Sequence, residues 1–431
     1  MKTIVALATP AGNSGVAVIR ISGEDSKTIL KKLIKEDFEF EPRKMYLKNV
    51  YIKDYTDKCL VVYFKSPFSF TGEDVVEVQS HGGYLLAQNI IEEVLKLGAR
   101  LADKGEFSKR AFINGKMSLD QAEGIIDLIN AESEMQAKTA SNLLSGKLKE
   151  MIIDYQNQIT DILAEIEAKL DYPEYEYTDT ETSNVLEKLN NLITLLQNLL
   201  NDSKNGLIIK NGVRIAIIGA PNVGKSSLLN AMTKSNKAIV TNIAGTTRDI
   251  IEAEYDYNGI IFRLFDTAGI HESTDIVEQI GIDRAKQAIK DCDLVLKVST
   301  PDQNCEVETT KPHIDVFNKS DLLNLKQNKG YIYVSAINNE NIEELKRAIF
   351  DKTVSSNINQ NKFYLTNTRH IEAVGLALNS LKTAVEIFNS TTFDIISSEI
   401  KTAWSYLGEI SGVVSDEAIL DKVFSKFCLG K

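Results

Sequence analysis

The sequence predicts a multidomain chain of α/β and α class. An N-terminal α+β domain covers residues 1–118, a discontinuous helical bundle occupies 119–206 and 354–431, and an α/β domain at 207–353 is inserted between the two helical stretches. Three observations predict it. Short β-rich runs broken by Gly and Pro fill the first part. Apolar residues then recur at three- and four-residue spacings in two stretches far apart in the chain. Between those stretches, strand and helix patterns alternate.

In the first part, VAVIRIS and CLVVYF have strand character, and YLLAQNIIEEVLKLG is the one helical pattern. In the second, Ile152, Tyr155, Ile159, Ile162, Ile166 and Leu170 share one helix face, as do Leu189, Leu192, Leu196 and Leu199. The period resumes after the insertion at Ile371, Val374, Leu378, Leu381 and Val385. Such apolar faces need partners, so the two helical stretches are expected to pack together. Domain termini often lie close together, which makes the insertion feasible. The acidic, aromatic segment DYPEYEYTDTET, residues 171–182, is expected to be a solvated loop between helices.

A length of 431 residues supports two to three cores. The cysteines at 59, 292, 305 and 428 show no paired spacing, so they suggest neither a disulfide framework nor a zinc site, which fits a reducing cytoplasm. Pro10 and Gly12 break the first apolar run too early for a secretory leader, and no later run reaches the roughly 18 apolar residues of a membrane span. The formal charge of -11 argues against a bulk electrostatic grip on nucleic acid. The chain closes on FSKFCLGK, where Gly430 is not aliphatic and Lys431 is not a usual last residue, which argues against a prenylation signal at Cys428. The residues alone leave that thiol either as a small packed side chain or as a reactive group.

The motif GAPNVGKSS, residues 219–227, follows the apolar run RIAIIG and precedes SLLNAMT, the strand–loop–helix context of a phosphate-binding loop. Asn222, Val223, Gly224, Lys225, Ser226 and Ser227 belong to it. Its backbone amides must approach a phosphate closely, Lys225 reaches the β- and γ-phosphates, and Ser226 can ligate magnesium. IIFRLFDTAG puts Asp266, Thr267, Ala268 and Gly269 at the end of an apolar strand, where a magnesium-side carboxylate and a γ-phosphate-sensing amide belong. HIDVFNKSD supplies Asn318, Lys319 and Asp321, and YIYVSA supplies Ser335 and Ala336. An Asp accepting from guanine N1 and N2 selects GTP over ATP, because adenine has no such donors there. In order, these motifs define a Ras-like P-loop GTPase domain.

The switch segment contributes Thr241, Asn242, Ile243, Ala244, Gly245, Thr246 and Thr247, with Thr247 the candidate magnesium ligand. Ile270 stands where Ras-like enzymes place a water-orienting glutamine, and it cannot hydrogen-bond a water. Glu272, Asp275 and Glu278 are the nearby candidates, each also readable as a surface acid.

With GAPNVGKSSLLNA, IVTNIAGTTRD, DTAGI, VEQIGIDRA, FTGEDVVEVQSHGG, GEFSKRAFINGKMSLDQAEGIIDLI and the FCLGK tail, nearly the whole chain resembles the MnmE (TrmE) tRNA modification GTPase family. The resemblance implies a homodimer whose N-terminal domain binds a tetrahydrofolate derivative, the methylene form being expected. It also implies a flavoprotein partner, MnmG, which carries the FAD; together the two install an aminomethyl or carboxymethylaminomethyl group on carbon 5 of the wobble uridine in certain tRNAs.

By the same resemblance, Asn222, Thr241, Ile243 and Thr246 hold potassium, and Glu278 orients the attacking water. Arg20, Glu77, Lys116 and Lys431 bind folate, although position alone makes Arg20 and Lys116 ordinary surface charges. Cys428, three residues before Lys431, is then held near the folate. Two departures stand out. Lys104 replaces the family's usual Pro before GEF, and STPDQNCEVETTKPHIDVFNKSD, preceded by Lys297 and beginning at Ser299, is short enough to make that sheet edge atypical. The alternatives are a regulatory or ribosome-assembly GTPase, which would need a basic RNA-binding domain, and a folate-dependent one-carbon transferase, which leaves the GTPase motifs unexplained.

Overall fold

A computed structural model describes residues 1–171, 179–233, 253–266, 290–305, 307–322, 330–354, 358, 362–412, 417–427 and 430. The chain divides into two compact units. One comprises Met1–Ile129, Ser141–Asn190 and Asn379–Lys431, the other Asn130–Ala140 and Asn191–Leu378. No helix among the described residues is long and apolar enough to cross a membrane.

The first unit contains a six-stranded sheet in the order β3-β4-β5-β2-β1-β6. Its strands are β1 Ile4–Leu7, β2 Val16–Ser22, β3 Met45–Ile52, β4 Tyr55–Phe64, β5 Val75–His81 and β6 Arg100–Leu101. Helices Ser26–Ile34 and Tyr84–Lys96 cover one face, burying Ile19, Ile21, Val76 and Val78 against Ile29, Leu33 and Ile90. Ile4, Ala6 and Phe107 form a smaller core on the alternate strand positions. Where the sequence shows one helical pattern in this region, the structure has three helices before residue 118. Ser26–Ile34 and Glu106–Ile113 are nine and eight residues long, too few turns for a period to stand out.

In the same unit, Lys147–Asp171 packs along Phe393–Ser411, joining chain from before and after the insertion. Ile152, Ile159, Ile162 and Ile166 are buried, and Gln156 donates from Nε2 to the Trp404 carbonyl at 3.0 Å. Leu170 departs from the expected stripe and is exposed, lying in the last turn before the helix ends. The helices also extend further than the sequence suggests: one ends at Asp171 and the next begins at Asp179, so both ends of the expected 171–182 loop are helical.

The second unit holds the sheet β12-β11-β10-β7-β9-β8. Its strands are β7 Val213–Ile218, β8 Ala253–Tyr257, β9 Ile260–Asp266, β10 Leu294–Ser299, β11 His313–Phe317 and β12 Tyr331–Tyr333. All neighbours are parallel except the β8–β9 hairpin. Alternating apolar positions such as Ile215, Ile217, Leu296 and Val316 pack against helices Lys225–Thr233 and Ile342–Thr353. The unusual stretch between β10 and β11 carries a Thr300–Gln303 bridge and no helix among its described residues, although parallel neighbours are usually joined through one.

Candidate functional site

β7 lies between β9 and β10, the point at which the strand order of the parallel sheet runs off in two directions. Ligands bind at the carboxyl ends of strands at such a point. The loop 219–224 leaves β7 there and enters the helix Lys225–Thr233. Its shape depends on two left-handed residues, Asn222 at φ 65° and Gly224 at φ 88°. Side chains have no room at its glycines: a Cβ at Gly219 would lie 2.5 Å from the Val298 carbonyl oxygen, and one at Gly224 would lie 2.5 Å from Asn318 Nδ2. Val223, buried in the sheet core, anchors the loop. Lys225 is buried, and its ammonium donates to the carbonyls of Gly219 at 2.9 Å and Ala220 at 3.0 Å. Ser226 and Ser227 are exposed in the first helical turn, where the helix dipole favours an anion. Asp266 closes β9 in register with Ile217, two residues before Gly219.

The second set of motifs locks onto the first. Asn318, 2 % exposed, donates through Nδ2 to the Val223 carbonyl at 2.9 Å and accepts from the Ala336 amide at 3.2 Å. Lys319, itself left-handed at φ 60°, donates to the Asn222 carbonyl at 2.9 Å. Ser335 donates to Asp321 Oδ1 at 2.6 Å, so an exposed carboxylate is held in one orientation. Thus Asn222–Lys225, Asn318–Asp321 and Ser335–Ala336 come together. The expected ligands Thr241, Asn242, Ile243, Ala244, Gly245, Thr246, Thr247, Thr267, Ala268, Gly269 and Glu278 lie outside the described residues, as do Cys428 and Lys431.

In the other unit, Arg20 on β2 stands opposite Glu77 on β5, with a Nη2–Oε1 distance of 2.8 Å. The guanidinium carbon lies 5.3 Å from the Phe70 ring centroid and 5.8 Å from that of Phe107. Lys116 packs beside the FTGED loop: a Cβ at Gly72 would lie 3.2 Å from its Cγ. That loop is tied down by Ser22, whose hydroxyl meets Thr71 Oγ1 and Glu73 Oε2, each at 2.7 Å. Glu73 in turn pairs with Arg110 at 2.9 Å, and Arg110 pairs with Glu106 at 2.8 Å. Burial works to raise the Glu106 carboxyl, but Arg100, the Asp103 amide and Arg110 outweigh it and bring the group down to about 2. Sequence reasoning missed Phe70, Phe107 and Arg110. Their signal is the quoted FTGED and GEFSKRAF stretches themselves, in which apolar and charged residues alternate without regular period.

Lys104 is exposed in the turn closed by Glu106 N to Asp103 O at 3.2 Å, so the lysine leaves that turn formed. Near the chain end, a Cβ at Gly430 would lie 2.1 Å from the Leu7 carbonyl oxygen. Gly430 therefore sits against the end of β1, whose Ala6 pairs with Arg20.

A family profile described as MnmE helical domain matches residues 119–428, and one described as GTP-binding protein TrmE N-terminus matches residues 3–116. Among curated relatives, a tRNA modification GTPase MnmE from Lactococcus lactis subsp. cremoris is 40% identical, covering 100% of this chain and 98% of its own length. The Clostridioides difficile protein of the same name is 36% identical, covering 100% of this chain and 99% of its own. A solved FeoB G domain from Methanococcus jannaschii is 27% identical with a TM-score of 0.26, covering 33% of this chain and 97% of that one. On the full-length identities and the two profiles, the chain belongs to the MnmE (TrmE) family.

Proposed function

We propose that this chain is the GTP-hydrolysing component of a cytoplasmic tRNA wobble-uridine modification system. It acts as a homodimer with a flavoprotein of the MnmG kind, adding an aminomethyl or carboxymethylaminomethyl group at carbon 5 from a folate one-carbon unit. The observation that carries the reading is the interlock of Asn318, Lys319 and Ala336 with the phosphate loop at the centre of the sheet. Asp321, oriented by Ser335, presents carboxylate oxygens suited to the two guanine donors. Family membership supports the tRNA role, since the relatives are named as tRNA modification GTPases.

The chemistry of these residue types supports the groups such a reaction needs. Lys225 would exchange its two loop carbonyls for the β- and γ-phosphate oxygens. Ser226 and Thr247 would ligate magnesium with Asp266 behind them, and Asn222, Thr241, Ile243 and Thr246 would hold potassium. Bound there, the cations supply positive charge where the transition state accumulates negative charge. Glu278 would orient the water, a role that Ile270 cannot fill. At the folate site Glu77 would leave Arg20 to pair with the amidine-like pterin edge, while Arg20, Lys116 and Lys431 serve the glutamate tail. Cys428 would face the same site.

The deciding experiment is mass spectrometry of wobble nucleosides from cells lacking this protein, joined to a GTPase assay of the purified chain. Loss of the carbon-5 group together with hydrolysis of GTP but not ATP is expected. Retained modification would overturn the tRNA role.

A further inference from the structure

Between the NIAGTTRD and DTAG motifs runs a hairpin of β8 and β9. Its two-residue turn, Asn258 at φ 55° and Gly259 at φ 83°, has the left-handed backbone of a tight hairpin connection. One end of the hairpin thus leads into both nucleotide-switch motifs. The seven residues of β9 place its turn end roughly 20 Å from there.

Residues 132–136 grip that far end. Ser133 Oγ donates to the Gly259 carbonyl at 2.7 Å and also accepts the Gln136 amide at 3.2 Å. Gln136 Oε1 receives the amides of Glu132 at 2.6 Å and Ser133 at 3.3 Å. This is a reciprocal capping box at the start of the helix Glu134–Leu144. Met135, buried in the core of this unit, lies 3.0 Å from where a Cβ at Gly259 would be. Arg263 on β9 spans the same junction: it donates to Glu254 Oε1 at 2.9 Å, to the Asn211 carbonyl at 2.7 Å, and to Glu132. Two acids therefore share one arginine, and burial raises the Glu254 carboxyl despite the opposing guanidinium.

The hydroxyl of Ser133 thus serves two masters. Moving the turn removes its acceptor at Gly259 and disturbs the cap that starts the next helix, and Asn130 follows directly in the chain on the helix Leu119–Ile129. We propose that Glu132, Ser133 and Gln136 form a reader of the nucleotide state, acting through the β8–β9 hairpin, with Arg263 as its positioning residue. The proposal rests on the GTP reading above and adds the route by which hydrolysis is felt outside the nucleotide site.

Hydrogen exchange of the full chain, loaded in turn with GDP and with a non-hydrolysable GTP analogue, tests it. Peptides covering 219–227 and 130–140 should both respond, the latter by about threefold or more in exchange rate. In Ser133→Ala the response at 219–227 should persist while that at 130–140 falls several-fold, and Ser133→Thr, which keeps the hydroxyl, should restore it. Glu132→Gln, which keeps size and loses charge, should weaken it in the same direction. A wild-type response at 219–227 with none at 130–140 would overturn the reader. No response at 219–227 would overturn the nucleotide reading and the reader with it.

Discussion

Arg20 and Glu77 face each other across β2 and β5, and Arg20 reaches Oε1 of Glu77 through both Nε, at 2.9 Å, and Nη2, at 2.8 Å. An ion pair on a sheet face beside Phe70 and Phe107 is a polar patch with aromatic walls. Glu77→Ala should weaken binding of a reduced folate by roughly 1.5 to 3 kcal/mol, the worth of a charge-assisted hydrogen bond. Calorimetry measures it, and equal affinity would remove Glu77 from the site.

Ser335 fixes the Asp321 carboxylate, so base selectivity should follow Asp321. Asp321→Asn replaces one acceptor by a donor, which opposes the guanine donors and matches the carbonyl that xanthine carries instead of the exocyclic amine. Affinity for GTP should fall by tenfold or more and that for xanthosine triphosphate should rise, about 1.4 kcal/mol per decade. Unchanged competition between the two nucleotides would place the base elsewhere.

Glu106 gives a pH prediction. Its carboxyl lies near 2 in the folded chain against an ordinary 4.5, so the folded state holds the proton less tightly than the unfolded one. The stabilisation is therefore complete above about 4.5 and is lost as pH falls toward 2. Glu106→Gln should lower stability near neutrality by on the order of 2 kcal/mol, because Arg110 loses a charged partner in a buried network. Urea midpoints of the two proteins should converge as pH falls from 4.5. A constant gap would mean that Glu106 acts through packing alone.

Residues whose place is set by local spacing were legible in the sequence. Lys225 follows from the loop motif, and the buried stripe Ile152, Ile159, Ile162 and Ile166 follows from helical period. What local spacing cannot encode is partnership across the chain. Arg110 is 2 % exposed yet charged, and its partners Glu73, Glu106 and the Lys2 carbonyl explain why it is inside. Met135 carries no motif, and its burial in the core of the second unit depends on a turn 124 residues later, at Gly259. The helices Ser26–Ile34 and Glu106–Ile113 were missed for a different reason, since tertiary packing rather than intrinsic preference sustains helices that short.

Asn222 carries the last prediction. Its backbone is left-handed at φ 65°, a conformation that Asn tolerates and Ala resists, and its carbonyl holds Lys319. Asn222→Ala would therefore strain the loop while removing the side chain, and its effect on hydrolysis would have two causes. Asn222→Gly separates them, because glycine accepts the same φ and keeps the carbonyl. If the Asn222 side chain holds a potassium ion beside the phosphates, the Gly variant should keep GTP affinity within a few-fold and lose the acceleration that potassium gives over sodium. The transition state places negative charge between the β- and γ-phosphates, and the loop 219–227 contains no arginine to meet it, so a monovalent cation has a role to fill. Hydrolysis measured in potassium and sodium chloride at matched ionic strength decides it. A wild-type rate equal in both salts, or a Gly variant that still responds to potassium, would take the cation away from Asn222.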